Sequence, residues 1–154
     1  MGDLLVRLYD LPAYAYARVL GQGVTLRRAL APERGAVCDW VETHFSAHWR
    51  SEVETGFSHQ PIDVFIATDE TGLLGFACGD VTARGFFGPT GVAETARGRG
   101  IGEALLFKTL EDLWAKGFAY AIIGDPGPVD FYRKKLDALD IPNSSPGIYK
   151  GLLK

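Results

Sequence analysis

The sequence predicts an α/β fold in one domain spanning residues 1–154, and three observations predict it. A β-like run ending at Val92 passes through a glycine-rich turn into an amphipathic helical pattern that reaches Lys116. Two more apolar runs, 63–68 and 73–81, flank Asp69-Glu70-Thr71-Gly72, whose polar residues and glycine suit a hairpin turn. A chain of 154 residues, 47% of them hydrophobic, fills one core, whereas two halves would each bury too little apolar surface.

Taken in order, residues 4–8 read as a short strand before Asp10-Leu11-Pro12, and an alanine- and tyrosine-rich helical turn follows through Leu20. Gly21-Gln22-Gly23 breaks the chain ahead of a strand over 24–29. Pro32 opens a helix in which Val37, Trp40, Val41 and Phe45 recur at helical spacing. The hairpin over 63–81 continues as a meander toward Val92. Beyond it, Gly102, Leu106, Leu110, Leu113 and Trp114 form one apolar stripe, while Lys108, Asp112 and Lys116 occupy another face. Ile101 and Leu105 fall outside the stripe, so the first turns of this helix are buried more widely. Residues 117–124 read as a buried strand, and 131–136 as a second helix, opened by the stiff loop Asp125-Pro126-Gly127-Pro128.

The junction Arg97-Gly98-Arg99-Gly100-Ile101-Gly102 carries the chemistry. Glycines at 98, 100 and 102 let the main chain approach a ligand and leave unpaired N–H groups at the helix start. An anion there gains up to about 2 kcal/mol from the helix dipole in a favourable geometry, and Arg97 and Arg99 add full charges. The spelling lacks the GxxxxGK and Ser or Thr of a Walker A loop, and its glycine spacing does not fit the GxGxxG dinucleotide fingerprint.

The RxxGxG pattern between strand and helix, with Val92 five residues before Arg97, resembles the acyl-CoA pyrophosphate loop of the GNAT superfamily of N-acyltransferases. The strand over 117–124 and the helix beginning Phe131-Tyr132-Arg133 follow in that family's order, so the likeness covers residues 86–138 and extends loosely to the strand over 24–29. The resemblance implies a GNAT-like fold with a central mixed sheet, flanked by helices and splayed where the cofactor enters. It implies acetyl-CoA as cofactor, held by Val92, Ala93 and residues 97–102, with polar main-chain groups near Val92 and Ala93 meeting the pantetheine arm. It also implies that Tyr132 stands beside the thioester sulfur, where its hydroxyl meets the departing thiolate; spacing alone equally allows a packed tyrosine on the face of Val129 and Leu136. A phenol of pKa about 10 is a weaker acid than a thiol near 8.5, so hydrogen bonding is favoured over full proton transfer.

The family often carries Asn seven residues before that tyrosine, where this chain has Asp125. An ionised carboxylate accepts but does not donate a hydrogen bond, so Asp125 either makes an altered pantetheine contact or faces the acceptor amine. Amine acylation needs a base to neutralise an ammonium, and Asp125, His44, His48, Glu52 and Glu54 are candidates among which spacing selects none. Phe45, His48, Trp49 and Phe57 form either an acceptor pocket or ordinary core.

Composition excludes several other classes. A net charge of −3 gives no broad attraction to nucleic acid or an anionic membrane, so the cations at 97, 99 and 133–135 form a local patch suited to a small polyanion. Cys38 and Cys78 have no CxxC spacing and read as reduced, packed thiols, with no metal site. Neither a secretion signal nor a membrane-length apolar run is present, which predicts a cytoplasmic protein. The expected activity is transfer of an acetyl group from acetyl-CoA to a small-molecule or peptide amine by direct attack, without a covalent enzyme intermediate. The alternatives are a non-catalytic acyl-CoA sensor and a phosphosugar or nucleotide binder; a homodimer is compatible with either class.

Overall fold

A computed structural model describes residues 2–154. Its centre is a seven-stranded mixed sheet built from β1 (Leu4–Arg7), β2 (Thr25–Arg28), β3 (Val64–Asp69), β4 (Gly72–Gly79), β5 (Phe86–Val92), β6 (Tyr120–Ile123) and β7 (Leu139–Asp140), in the order β2-β3-β4-β5-β6-β1-β7. Among the described residues five α-helices accompany it: α1 (Ala17–Leu20), α2 (Arg34–His44), α3 (Ala47–Ser58), α4 (Ile101–Ala115) and α5 (Val129–Leu136).

The predicted meander is β3-β4-β5, antiparallel throughout. Its first turn is fixed by Asp69, whose Oδ1 accepts from the Thr71 amide at 2.8 Å and hydroxyl at 2.5 Å. Along β3, Phe65 and Ala67 enter one apolar cluster while Val64 and Ile66 enter another. That alternation is the two-residue period of a strand buried on both faces. Ile101, Leu105, Leu106 and Leu110 of α4 fill the first cluster, and Val37, Cys38, Val41, Val53 and Phe57 of α2 and α3 fill the second. Both cysteines are free thiols in this apolar packing, as expected.

Three sequence expectations are corrected here. The helix opened by Pro32 begins as a short 3₁₀ turn and ends at His44; Ser46, in extended backbone, accepts the Trp49 amide at 3.1 Å and starts α3, over a segment to which the sequence reading assigned no element. Trp114 is 50% exposed and lies outside the stripe. Phe107, seven residues earlier, is buried under the stacked ring of Tyr14, whereas Trp114 has no aromatic partner among the described residues. The strand over 117–124 is confined to Tyr120–Ile123, because Gly117 has a left-handed φ of 99°.

Two topological features position the site. Strands β5 and β6 form the sheet's parallel pair, but they meet only at Phe86–Ile122 and Phe87–Ile123. Gly88 and Pro89 interrupt the register with β4, and residues 88–92 have no strand beside them on the β6 side. The sheet is therefore split above Phe87. The second feature is β1, which lies at the far end of the sheet from β2, inserted antiparallel between β6 and β7. Asp3 anchors it: its amide donates to Ser144 Oγ at 2.7 Å, its carbonyl accepts from Ile141 at 2.9 Å, and its Oδ1 accepts the Asp125 amide at 3.2 Å.

Candidate active site

The split in the sheet opens into two clefts. The first, about 440 Å³, lies between residues 90–92 of β5, the start of α4 and the face of α5 bearing Pro128, Phe131 and Tyr132. Gly100 stands immediately before α4 with φ 82°, a left-handed conformation that costs an L side chain about 1–2 kcal/mol. This turn directs the main chain so that the amides of Gly98 through Glu103 donate to no acceptor among the described residues. A row of free N–H groups at the N-terminus of a fifteen-residue helix is an anion site in physical terms.

The loop is held from behind. Gln22 Nε2 donates to the Arg99 carbonyl at 3.0 Å, and the Tyr14 hydroxyl reaches the Gly100 carbonyl at 3.5 Å. Of the predicted cofactor residues, Val92, Arg97, Gly98, Gly100, Ile101 and Gly102 line the first cleft together with Tyr132. Arg99, Ala93 and Asp125 do not. The Arg99 side chain donates to Gln22 Oε1 at 3.0 Å and lies 3.5 Å from Asp69, while the Ala93 amide donates to the Leu74 carbonyl at 2.8 Å. Arg18 of α1 is near the loop instead: its Nη1 lies 3.2 Å from where a Cβ on Gly100 would stand, and it forms no ion pair among the described residues. In the basic patch of α5, Arg133 is bidentate to Asp140 at 2.8 Å, and Lys135 is 3.4 Å from Glu103 at the cleft wall.

Tyr132 is the hinge of the arrangement. Its ring is 7% exposed and packs edge-on to Phe131, with centroids 5.3 Å apart. Its hydroxyl bonds to no other described residue, and because no buried side-chain oxygen lacks a partner, that hydroxyl lies at an accessible surface open to the clefts. Burial pushes the phenol above its ordinary pKa, so it stays neutral at physiological pH and is available as a donor.

The second cleft, about 480 Å³, lies on the other side of the split between α3, the β4–β5 loop, the loop after β6 and the C-terminal segment. Thr90, Pro128 and Tyr132 line both clefts. Glu52 and Asp125 supply its carboxylates, and Trp49, Phe87 and Tyr149 its aromatic wall. Asp125 has a left-handed φ of 44°, tolerated by Asp, and its loop is pinned by Asp3. Burial raises the Glu52 carboxyl, opposed by the Thr82 hydroxyl that donates to it and by His48.

The other base candidates are occupied elsewhere. His44 stacks on Trp40 and contacts its carbonyl at 2.9 Å, His48 Nε2 contacts the Leu153 carbonyl at 2.9 Å, and Glu54 faces Arg50 and Arg34. Phe45 is half-buried against Gly91 and Phe76, and Phe57 is buried in the second apolar cluster. Sequence reading missed Thr82 and Tyr149, which line the second cleft, and Arg18, which stands beside Gly100; all three come from segments without motif or periodicity. Among the described residues no His/Cys/Asp/Glu group has metal-binding geometry, and no helix is long and apolar enough to cross a membrane.

A split mixed sheet with a glycine-capped helix at the split is the architecture that the resemblance to the GNAT superfamily implied. The model of the acetyltransferase (GNAT) family matches residues 30–137, and the chain belongs to this family. The glucosamine N-acetyltransferase region of a fungal multidomain GH3 β-N-acetylglucosaminidase is similar with TM-score 0.71 and 20% identity, over 86% of this chain and 19% of that one. A GCN5-related N-acetyltransferase from Sphaerobacter thermophilus is similar with TM-score 0.68 and 22% identity, over 90% of this chain and 47% of that one. A GNAT family acetyltransferase from Brucella melitensis, solved with acetyl-CoA, gives TM-score 0.53 and 19% identity over 79% and 92%. At these identities the likeness is one of fold, and the chain spans less than half the length of the first two structures. No curated protein matches the sequence.

Proposed function

We propose that this protein is an acetyl-CoA-dependent N-acetyltransferase that passes an acetyl group directly to a primary amine. The observation that carries this reading is the meeting of two clefts at Tyr132, one with an anion-binding floor and one with carboxylates. The residues of the first cleft fit CoA. Free amides from Gly98 to Glu103, with Arg97 and Arg18 beside them, suit a diphosphate, and the apolar wall formed by Val92, Leu106 and Phe131 suits a slender pantetheine arm. Bound there, acetyl-CoA supplies an activated acetyl thioester.

The chain's own residues then do three things. The loop and α4 dipole hold the diphosphate end, which fixes the reach of the thioester toward the split. The unpaired Tyr132 hydroxyl donates a hydrogen bond where negative charge develops on sulfur. Because burial raises its pKa further above that of a thiol, Tyr132 stabilises the charge without surrendering its proton. Cys78 is fully buried with its thiol pushed well up, and Cys38 is also raised, so neither suits a covalent acetyl carrier.

The test is CoA release from acetyl-CoA across an amine panel, with Tyr132→Phe alongside. Losing one hydrogen bond to a developing charge is expected to lower kcat about 10- to 100-fold, with CoA affinity nearly unchanged. Tight CoA binding without turnover on any amine would replace this reading with a non-catalytic acyl-CoA sensor.

A further inference from the structure

The second cleft selects its occupant by charge. Among the described residues no Lys, Arg or His lines it, and its two carboxylates come from separate elements, Glu52 from α3 and Asp125 from the loop after β6. Glu52 is partly buried on α3, accepts from the Thr82 hydroxyl and forms no ion pair among the described residues. A carboxylate withdrawn from water without a cationic partner is costly, and a ligand that brings the cation relieves that cost. The remaining wall is largely apolar, with Trp49, Phe87, Pro89 and Ile123 on it, so the body attached to that cation must be apolar as well.

We propose that this cleft binds a cationic primary amine with an apolar body and no acidic group, and that Glu52 holds its ammonium and accepts its proton. The proposal rests on the acetyltransferase reading and names its acceptor class and base. An ammonium proton passes to the Glu52 carboxylate, giving the neutral amine and a carboxylic acid. The amine nitrogen bonds to the acetyl carbon as the carbon–sulfur bond breaks. The electron pair leaves with sulfur, which takes the second nitrogen proton to become the CoA thiol, and Glu52 returns its own proton to water. An acceptor bearing a carboxylate or phosphate meets only like charge in the cleft.

The groups facing Glu52 are His48 on its own helix, Thr82 from the β4–β5 loop, Cys78 from β4 and Tyr149 from the C-terminal segment, with Asp125 elsewhere in the cleft. His48 is the cation among them when protonated, and Thr82 donates a hydrogen bond; both favour ionised Glu52 against its burial. Tyr149 takes its shift chiefly from burial and then from Glu52, so the phenol remains neutral.

The experiment uses phenethylamine and phenylalanine, which share a body and differ by a carboxylate, with the wild-type protein, Glu52→Gln and Asp125→Asn. Calorimetry on the CoA-loaded protein reads amine binding, and CoA release reads transfer across pH. Glu52→Gln is expected to weaken phenethylamine binding about 10-fold and to lower kcat/KM about 100-fold, with CoA affinity unchanged. It should also abolish the acid-side ionisation of the pH profile, whereas Asp125→Asn weakens binding and keeps that ionisation. Phenylalanine used as well as phenethylamine, or an unchanged profile and amine affinity in Glu52→Gln, overturns the proposal while leaving acetyl transfer intact. No transfer to any amine overturns the acetyltransferase reading and the proton role of Glu52; phenethylamine binding that still depends on Glu52 would then uphold the cation site alone.

Discussion

Arg18 and Arg99 flank the same glycine and have opposite fates. Arg99 belongs to the motif, yet its guanidinium is spent on Gln22 and Asp69; Arg18 belongs to no motif and stands unpaired beside Gly100. Arg18→Ala is therefore expected to weaken CoA binding about fivefold by calorimetry, the worth of one exposed charge-assisted contact, and to do so less at high salt. Arg99→Ala should change CoA affinity less and thermal stability more. Equal losses of affinity would contradict the geometry. The glycines at 98, 100 and 102 were legible because a left-handed turn before a helix is a local demand on the chain. Arg18 was not, since it reaches Gly100 only after α1 packs against α4. Glu52 was one acidic residue among several until folding removed the others to surface pairs or other walls.

Among the elements, the link between β2 and α2 carries a pH signature. Arg27 donates from Nη1 and Nη2 to the two oxygens of Glu33 at 2.8 and 2.6 Å, and the Leu30 amide donates to Glu33 Oε1 at 2.8 Å. Arg27, followed by that amide, holds the Glu33 carboxyl at about 2, against about 4.3 for an unfolded glutamate. A depressed folded pKa contributes stability that is complete above the unfolded value and disappears as pH falls toward 2. Because the pair is about a third exposed, its worth is about 1 kcal/mol or less. Glu33→Gln should therefore lower the midpoint of chemical unfolding at pH 7 and leave it little changed near pH 2. The strands of the meander and the helix at 101–115 were readable from periodicity and turn residues, since each satisfies its own pattern locally. Helix α3 was not assigned in advance, since its start rests on one serine cap directly after the end of α2.

Across the whole molecule, the order of strands was not legible. Residues 4–8 announce a strand but not its neighbours, and those neighbours lie more than a hundred residues onward. Asp3 joins β1, the loop that carries Asp125 and the segment around Ser144. Asp3→Ala should cost about 1 kcal/mol by removing the acceptor of the Asp125 amide, which water at that exposed residue partly replaces, lowering Tm by a few degrees. It should also raise KM for the amine more than for acetyl-CoA, because the second cleft contains the loop it anchors. The insertion of β1 between β6 and β7 has a kinetic meaning as well. During synthesis, Leu4, Val6 and Leu8 emerge from the ribosome long before the residues that will cover them exist. This strand must wait, exposed, for partners made more than a hundred residues later, so the nascent chain depends on that apolar stretch escaping premature partners until they arrive.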